Sequence, residues 1–414
     1  MSLLSCELTD PRGDPDLGVL LQRMVSVEAS DLLMTVGAPP TLKVHGRMVT
    51  GSDGPLGPGV VKRLAYTLMT DAQMVEFERS LECDLAISLN GVGRFRVNVY
   101  VQRGEVSMVV RNVKTRIPTL AELRLPGGTI EGLSLLRQGL VLVVGAAGSG
   151  KSTTLAAMLE HRNRTVPGHI LTVEDPIEFV HEHRRCIVDQ REVGLDTHSF
   201  SEALRRALRE APDVIMIGEI RDQETMQHAL HYAETGHLCM ATLHANNANQ
   251  AVDRVINFFP ESARRQVLID LSLNLQAVVA QRLLPGVGGH RVPATEVMLH
   301  SPYIAELIQK GEIHQLKAVI TKSNPTGMHS FDQSLYELYQ RGQITLAQAL
   351  EHADSKTDLA LRVRLKSGGT PSLFEENAAR ERLAGAAGET FASAPGAARP
   401  ASRSPVRPPS TSTA

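Results

Sequence analysis

Gly145-Ala146-Ala147-Gly148-Ser149-Gly150-Lys151-Ser152 fits G-x-x-x-x-G-K-[ST], the pattern of a phosphate-binding P-loop. Four apolar residues, Val141 to Val144, run straight into it, and Thr153 to Glu160 follow with good helix formers. The loop therefore lies between a buried strand and a helix N-terminus, the context the motif requires. Glycines let the backbone wrap tightly and aim N–H groups at phosphate oxygens, and the helix N-terminus adds unpaired donors and partial positive charge. Lys151 would reach the β- and γ-phosphates, and the Ser152 hydroxyl would ligate Mg²⁺. The expected nucleotide contacts run from Gly145 to Thr153, with ATP and Mg²⁺ as ligands. The bland alternative is a glycine turn with an incidental lysine.

Downstream the pattern alternates strand and helix. Strands are expected at Val141–Val144, Ile170–Val173, Val214–Ile217 and Leu238–Leu243. Helices are expected at Thr153–Arg162, from a Ser199/Glu202 capping box to Glu210, and from Asp222 to near Gly236. Such alternation implies an α/β fold with a parallel sheet. Upstream, Leu17, Leu20, Leu21, Met24 and Val25 recur at helical spacing. Ser30–Val36 and Lys43–Val49 read as strands, Val60–Arg79 as largely helical, and Arg94 to Val99 alternates polar with apolar. That region predicts a small mixed α/β domain on an antiparallel sheet. Beyond Pro302 the chain reads as helices, with Phe331, Leu335 and Leu338 on one face. The expected organisation is an irregular terminus (1–14), an N-terminal domain (15–113), a linker (114–134), an ATPase core (135–300), C-terminal helices (301–367) and a disordered tail (368–414).

Composition limits the function classes. The 414 residues carry a net charge of −2 and only 4% aromatics, with no Trp, so neither a global basic field nor a base-stacking platform is expected. No apolar run reaches membrane-spanning length, so any membrane role must come through a partner. The four cysteines form no C-x-x-C pair, which points to reduced thiols in the cytosol.

Hydrolysis needs a group that orients water and groups that complete the metal site. Val214 to Ile217 is an apolar strand followed by Gly218-Glu219, and a neighbouring strand of a P-loop sheet ends near the phosphates. Glu219 is thus the candidate base. Gly218 stands where an aspartate is usual, so direct Mg²⁺ ligation from that position is absent. Glu174-Asp175-Pro176-Ile177-Glu178 follows another buried strand. Glu174 and Glu178 would complete the metal shell through water or position the nucleophile; the alternative is a solvated turn. His244, with Thr242, would sense the γ-phosphate. His237 and His244 are seven apart and fall on opposite faces of a regular strand, against one shared metal. His181, His183, His228 and His231 read as surface residues. Arg111 first, then Arg96, are candidates to offset transition-state charge, from a neighbouring subunit of a ring; the alternative is a solvated sheet face. Arg205, Arg206 and Arg209 read as a surface or subunit-contact face.

Taken together, the P-loop, the acidic box from Glu174 to Glu178, Gly218-Glu219-Ile220-Arg221 and the box from Gly236 to His244 resemble the secretion ATPase superfamily. The likeness covers about Leu17 to about Ala347. Ser30-Asp31-Leu32, Gly93 to Val97, Gln190 to Gly194 and Ala233 to His237 are most similar to the PilT and PilU retraction ATPases of type IVa pili. Extension and secretion ATPases usually carry a four-cysteine zinc module, which this chain lacks. Tyr303 to Lys310 departs from a late helical motif of PilT proteins. With Ala245 to Gln250 and the long tail, it looks more like PilU, whose members are usually accessory to PilT. The resemblance implies a PAS-like domain joined by a hinge to a RecA-like core, and a homo-hexamer with ATP between subunits. It also implies a PilT-type partner ATPase and force transfer to the inner-membrane platform protein from the cytoplasmic side. Competing readings are a type II secretion or conjugation-type ATPase and a nucleotide-binding regulatory subunit with little turnover. A nucleic-acid motor is disfavoured by charge and aromatic content.

Overall fold

The computed structural model describes residues 14–50, 54–323 and 326–367. The expected irregular terminus, apart from Asp14, and the expected disordered tail lie outside the described residues. The chain divides into two units, one reaching to Asp354 and the other beginning at Ser355.

The first unit contains two sheets. The N-terminal sheet has β1 (Ala29–Met34), β2 (Thr41–Val44), β3 (Arg47–Thr50), β4 (Glu82–Leu89), β5 (Gly93–Gln102) and β6 (Glu105–Val113), in the spatial order β3-β2-β1-β6-β5-β4. Every pairing in it is antiparallel. On β5 the alternation sends Phe95, Val97 and Val99 inward, where they pack with Leu20, Met24 and Leu32. The same alternation leaves Arg94, Arg96 and Asn98 on the other face.

One expectation here is corrected. Lys43–Val49 is a hairpin rather than one strand, because His45 and Gly46 both take positive φ (49° and 80°) and reverse the chain. Val60–Arg79 is largely helical, as two helices, Val60–Tyr66 and Asp71–Ser80, since Thr70 and Gln73 form a reciprocal capping box that starts the second.

The second sheet has β7 (Gly139–Val144), β8 (Gly168–Glu174), β9 (Cys186–Glu192), β10 (Val214–Ile217), β11 (Leu238–Leu243), β12 (Leu275–Pro285) and β13 (Arg291–Leu299). Its order is β13-β12-β7-β11-β10-β8-β9, parallel throughout except for the antiparallel β12–β13 edge. β7, β10 and β11 are buried along their whole length, as continuous apolar runs require when both faces are covered. This is the α/β architecture expected from the strand–helix alternation. β9, β12 and β13 are not among the expected strands. β9 and β12 carry charged or amide residues (Asp189, Gln190 and Arg191; Gln276 and Gln281), and Pro293 interrupts β13, so their apolar signal is weak.

Expected helices appear at Lys151–Thr165, Phe200–Ala207 with a 3₁₀ turn to Glu210, and Gln223–Glu234. Ser199 caps the second through the Glu202 N–H, without the reciprocal half of a capping box. A helix at Gly127–Ser134 lies inside the expected linker. Phe331, Leu335 and Leu338 are buried on the helix Phe331–Gln340. The second unit, as far as it is described, is the helix Lys356–Ser367, with Ser355 accepting from the Asp358 N–H.

Candidate nucleotide site

The P-loop connects β7 to the helix Lys151–Thr165. Two glycines are dictated by contact. At Gly145 a Cβ would stand 2.5 Å from the Gln281 carbonyl and 2.4 Å from Ser149 Oγ, and Gly150 has φ 92° with Gln281 Nε2 at 2.8 Å from its notional Cβ. Gln281, from β12, also accepts from Thr154 Oγ1 at 2.7 Å. The loop is thus moulded on a buried glutamine that no sequence motif marks. Lys151 is buried, and its Nζ donates to the Gly145 and Ala146 carbonyls at 3.0 and 2.9 Å. Burial lowers its pKa, against the opposing pull of Glu219 and Glu178.

A cavity of about 230 Å³ opens over the loop. Gly148, Lys151 and Ser152 line one side, and Glu174, Glu178, Glu219, Thr242 and His244 line the others. The acidic box, the β10 carboxylate and the β11 terminus are therefore brought to the P-loop. The relation of strands differs from the expectation in one respect. β10 is not beside β7; β11 lies between them, so Thr242 and His244 are nearer neighbours of the P-loop strand than Glu219.

Glu219 is held from two sides. His244 Nε2 lies 3.1 Å from Oε1, and Arg221 donates through Nε to Oε2 at 2.9 Å. The pair raises the pKa of Arg221, first through that hydrogen bond. Gly218 accepts a 2.5 Å hydrogen bond from Thr242 Oγ1 through its carbonyl. A Cβ at Gly218 would sit 3.2 Å from the Glu174 Cα, so glycine is what lets the ends of β8 and β10 come together. Glu174 is buried, which pushes its pKa up, while bonds from Thr172 Oγ1 (2.7 Å) and Gln190 Nε2 (3.1 Å) oppose the rise. Glu178 is exposed at the rim.

Arg111 and Arg96 do not reach this cavity. They are opposite each other on β6 and β5 and are balanced separately, Arg111 by Asp31 (2.9 Å) and Arg96 by buried Glu192 (3.1 Å). Both line a second cavity of about 480 Å³, which shares Asp175 with the first. Arg205, Arg206 and Arg209 are exposed. His181 is a correction: it is buried and lines the P-loop cavity instead of the surface. No motif marks it; its burial follows from the segment after the acidic box being bonded to the P-loop helix through Asn163. Among the described residues no cluster of three or more His, Cys, Asp or Glu is arranged to hold a metal. No helix among them is long and apolar enough to cross a membrane.

A P-loop set between a buried strand and a helix, faced by carboxylates from two other parallel strands, defines a P-loop nucleotide-binding α/β protein. The family described as type II/IV secretion system protein matches residues 47–351. The type IV pilus ATPase PilU of Pseudomonas aeruginosa is 53% identical over 349 residues, spanning 84% of this chain and 91% of that protein. The type IV pilus retraction ATPase PilT of the same organism is 44% identical over 338 residues, spanning 82% and 98%. A crystal structure of the pilus retraction motor PilT with bound ADP superposes with a TM-score of 0.77 at 41% identity, covering 83% of this chain and 98% of that one. The chain belongs to the type II/IV secretion system protein family and, within it, to the PilT/PilU group.

Proposed function

We propose that this chain is a motor ATPase of type IV pilus retraction, working in a homo-hexamer and accessory to a PilT-type motor. The observation that carries the reading is the convergence of Lys151, Ser152 and Glu219 on one cavity, in a chain 53% identical to a PilU.

The cavity suits a nucleotide. Ser149 Oγ is buried in the loop without a partner, and Gly145 and Gly150 pack so closely on Gln281 that a side chain at either would clash. Lys151 Nζ is satisfied by two loop carbonyls, for which phosphate oxygens are stronger replacements. Mg²⁺, a hard cation, would be held by the Ser152 hydroxyl together with nucleotide oxygens and water. When bound it neutralises charge between the terminal phosphates. Glu219 serves as the base that draws the proton from water. A carboxylate has about four lone-pair sites, so the contacts to His244 and Arg221 orient it and leave acceptor capacity. Glu174 and Glu178 order water on the opposite wall. Arg111, or failing that Arg96, offsets transition-state charge at a neighbouring subunit's site. Force passes to the inner-membrane platform protein from the cytoplasmic side.

The accessory role is tested in a strain lacking every other retraction ATPase. This chain alone is expected to give no twitching, and a catalytically dead PilT-type partner is expected to restore it. Robust twitching driven by this chain alone would contradict the accessory role.

A further inference from the structure

The wall of the cavity opposite the P-loop is hung on the far end of the P-loop's own helix. Glu160 lies nine residues beyond Lys151 on the helix Lys151–Thr165, about 14 Å along its axis. Its buried carboxylate accepts from Arg164 Nε at 2.6 Å and Arg184 Nε at 2.9 Å, with His181 Nδ1 at 3.7 Å. Asn163, fully buried one turn on, donates to the Glu182 carbonyl at 2.7 Å and accepts from the Arg184 and Cys186 N–H groups. The segment after the acidic box is thereby fixed to the P-loop helix.

The connection returns to the cavity through His181. Its ring lines the cavity, its side chain is 2% exposed, and Nδ1 is buried without a hydrogen-bond partner. The His181 N–H donates to Gln190 Oε1 at 2.8 Å, and Gln190 Nε2 donates in turn to Glu174. A closure of about 0.8 Å would turn the Glu160–His181 approach into a charge-assisted hydrogen bond.

We propose that Glu160 and His181 are a positioning pair that couples the P-loop helix to the acidic box, so that phosphate contact at the start of the helix sets the facing Glu174 wall through the anchor at its far end. Neither touches the reacting atoms. The inference rests on the nucleotide-site reading.

The test uses the full chain with Glu160→Gln, His181→Ala and His181→Asn, the last keeping a donor near the Nδ1 position. Two readouts are taken: steady-state ATP hydrolysis, and hydrogen exchange of residues 177–186 with and without Mg-ADP. In Glu160→Gln and His181→Ala, kcat is expected to fall about 10-fold or more with KM changed less than about 2-fold, as for misplacement of a catalytic wall. The ADP-dependent protection of 177–186 is expected to vanish, and His181→Asn to recover part of both. Wild-type kcat in Glu160→Gln and His181→Ala overturns the inference, as does a loss of melting temperature that fully accounts for lost activity. Absence of ADP-dependent protection in the wild type overturns it too. Failure of the wild type to hydrolyse ATP contradicts the functional reading instead, while exchange still decides the coupling.

Discussion

The placement of a residue is legible wherever a motif carries its own physics. Lys151, Ser152, Glu219 and Glu174 were placed on one cavity by strand ends and a glycine loop, and the structure brings them there. Residues whose role depends on what the fold sets beside them were not legible. Gln281 supports the P-loop from β12, more than a hundred residues away in sequence, and His181 reads as a surface histidine until the segment carrying it is seen to cross the P-loop helix. Glu160 belongs to the same class, and its environment has a measurable consequence. Burial alone would raise its pKa, but the nearby His181 and the Arg164 hydrogen bond and charge outweigh that and hold it at about 2. Because the folded value is depressed, its stabilisation is full above the ordinary carboxylate range and is lost as pH falls through about 2. The upper limit is about 3 kcal/mol. In urea melts the stability gap between wild type and Glu160→Gln is therefore expected to shrink from about pH 5 downward. A gap that is constant with pH would show that the carboxylate is not held ionised.

Helices and strands with long apolar runs were read closely, because burial on both faces leaves a continuous signal: β10 and β11 match their expected limits. The hairpin turn at His45 and the helix Ala248–Asn257 were not among the expected elements. The Glu296 carboxylate, 2% exposed on β13, accepts from the Ala248 N–H at 2.9 Å and also from the Phe331 N–H. These residues begin the helices Ala248–Asn257 and Phe331–Gln340. Burial pushes its pKa up, reinforced by Asp354. Glu296→Ala is expected to cost about 2 kcal/mol or more by stranding two buried N–H groups, and Glu296→Gln, which keeps an acceptor without a buried charge, much less. Equal losses of melting temperature in both variants would place the cost in packing.

At the scale of the whole molecule, two sheets share one unit, and the cavity holding Arg96 and Arg111 adjoins the nucleotide cavity through Asp175. Within one chain these arginines do not reach the P-loop cavity. Arg111→Ala rings and Glu219→Gln rings are each expected to be inactive, and mixing the two subunits is expected to restore some active interfaces. No recovery would argue against action in trans.

The central claim is that this cavity hydrolyses ATP with Glu219 as base, and phosphate release by the purified full chain, read beside nucleotide binding, tests it most directly. Wild type is expected to turn over. Lys151→Ala is expected to lose both binding and turnover. Glu219→Gln is expected to bind ATP while turnover falls on the order of 100-fold or more. Full turnover in Glu219→Gln, with loss in Glu174→Gln or Glu178→Gln, would move the base to the acidic box. Wild-type turnover in Lys151→Ala would contradict the site altogether.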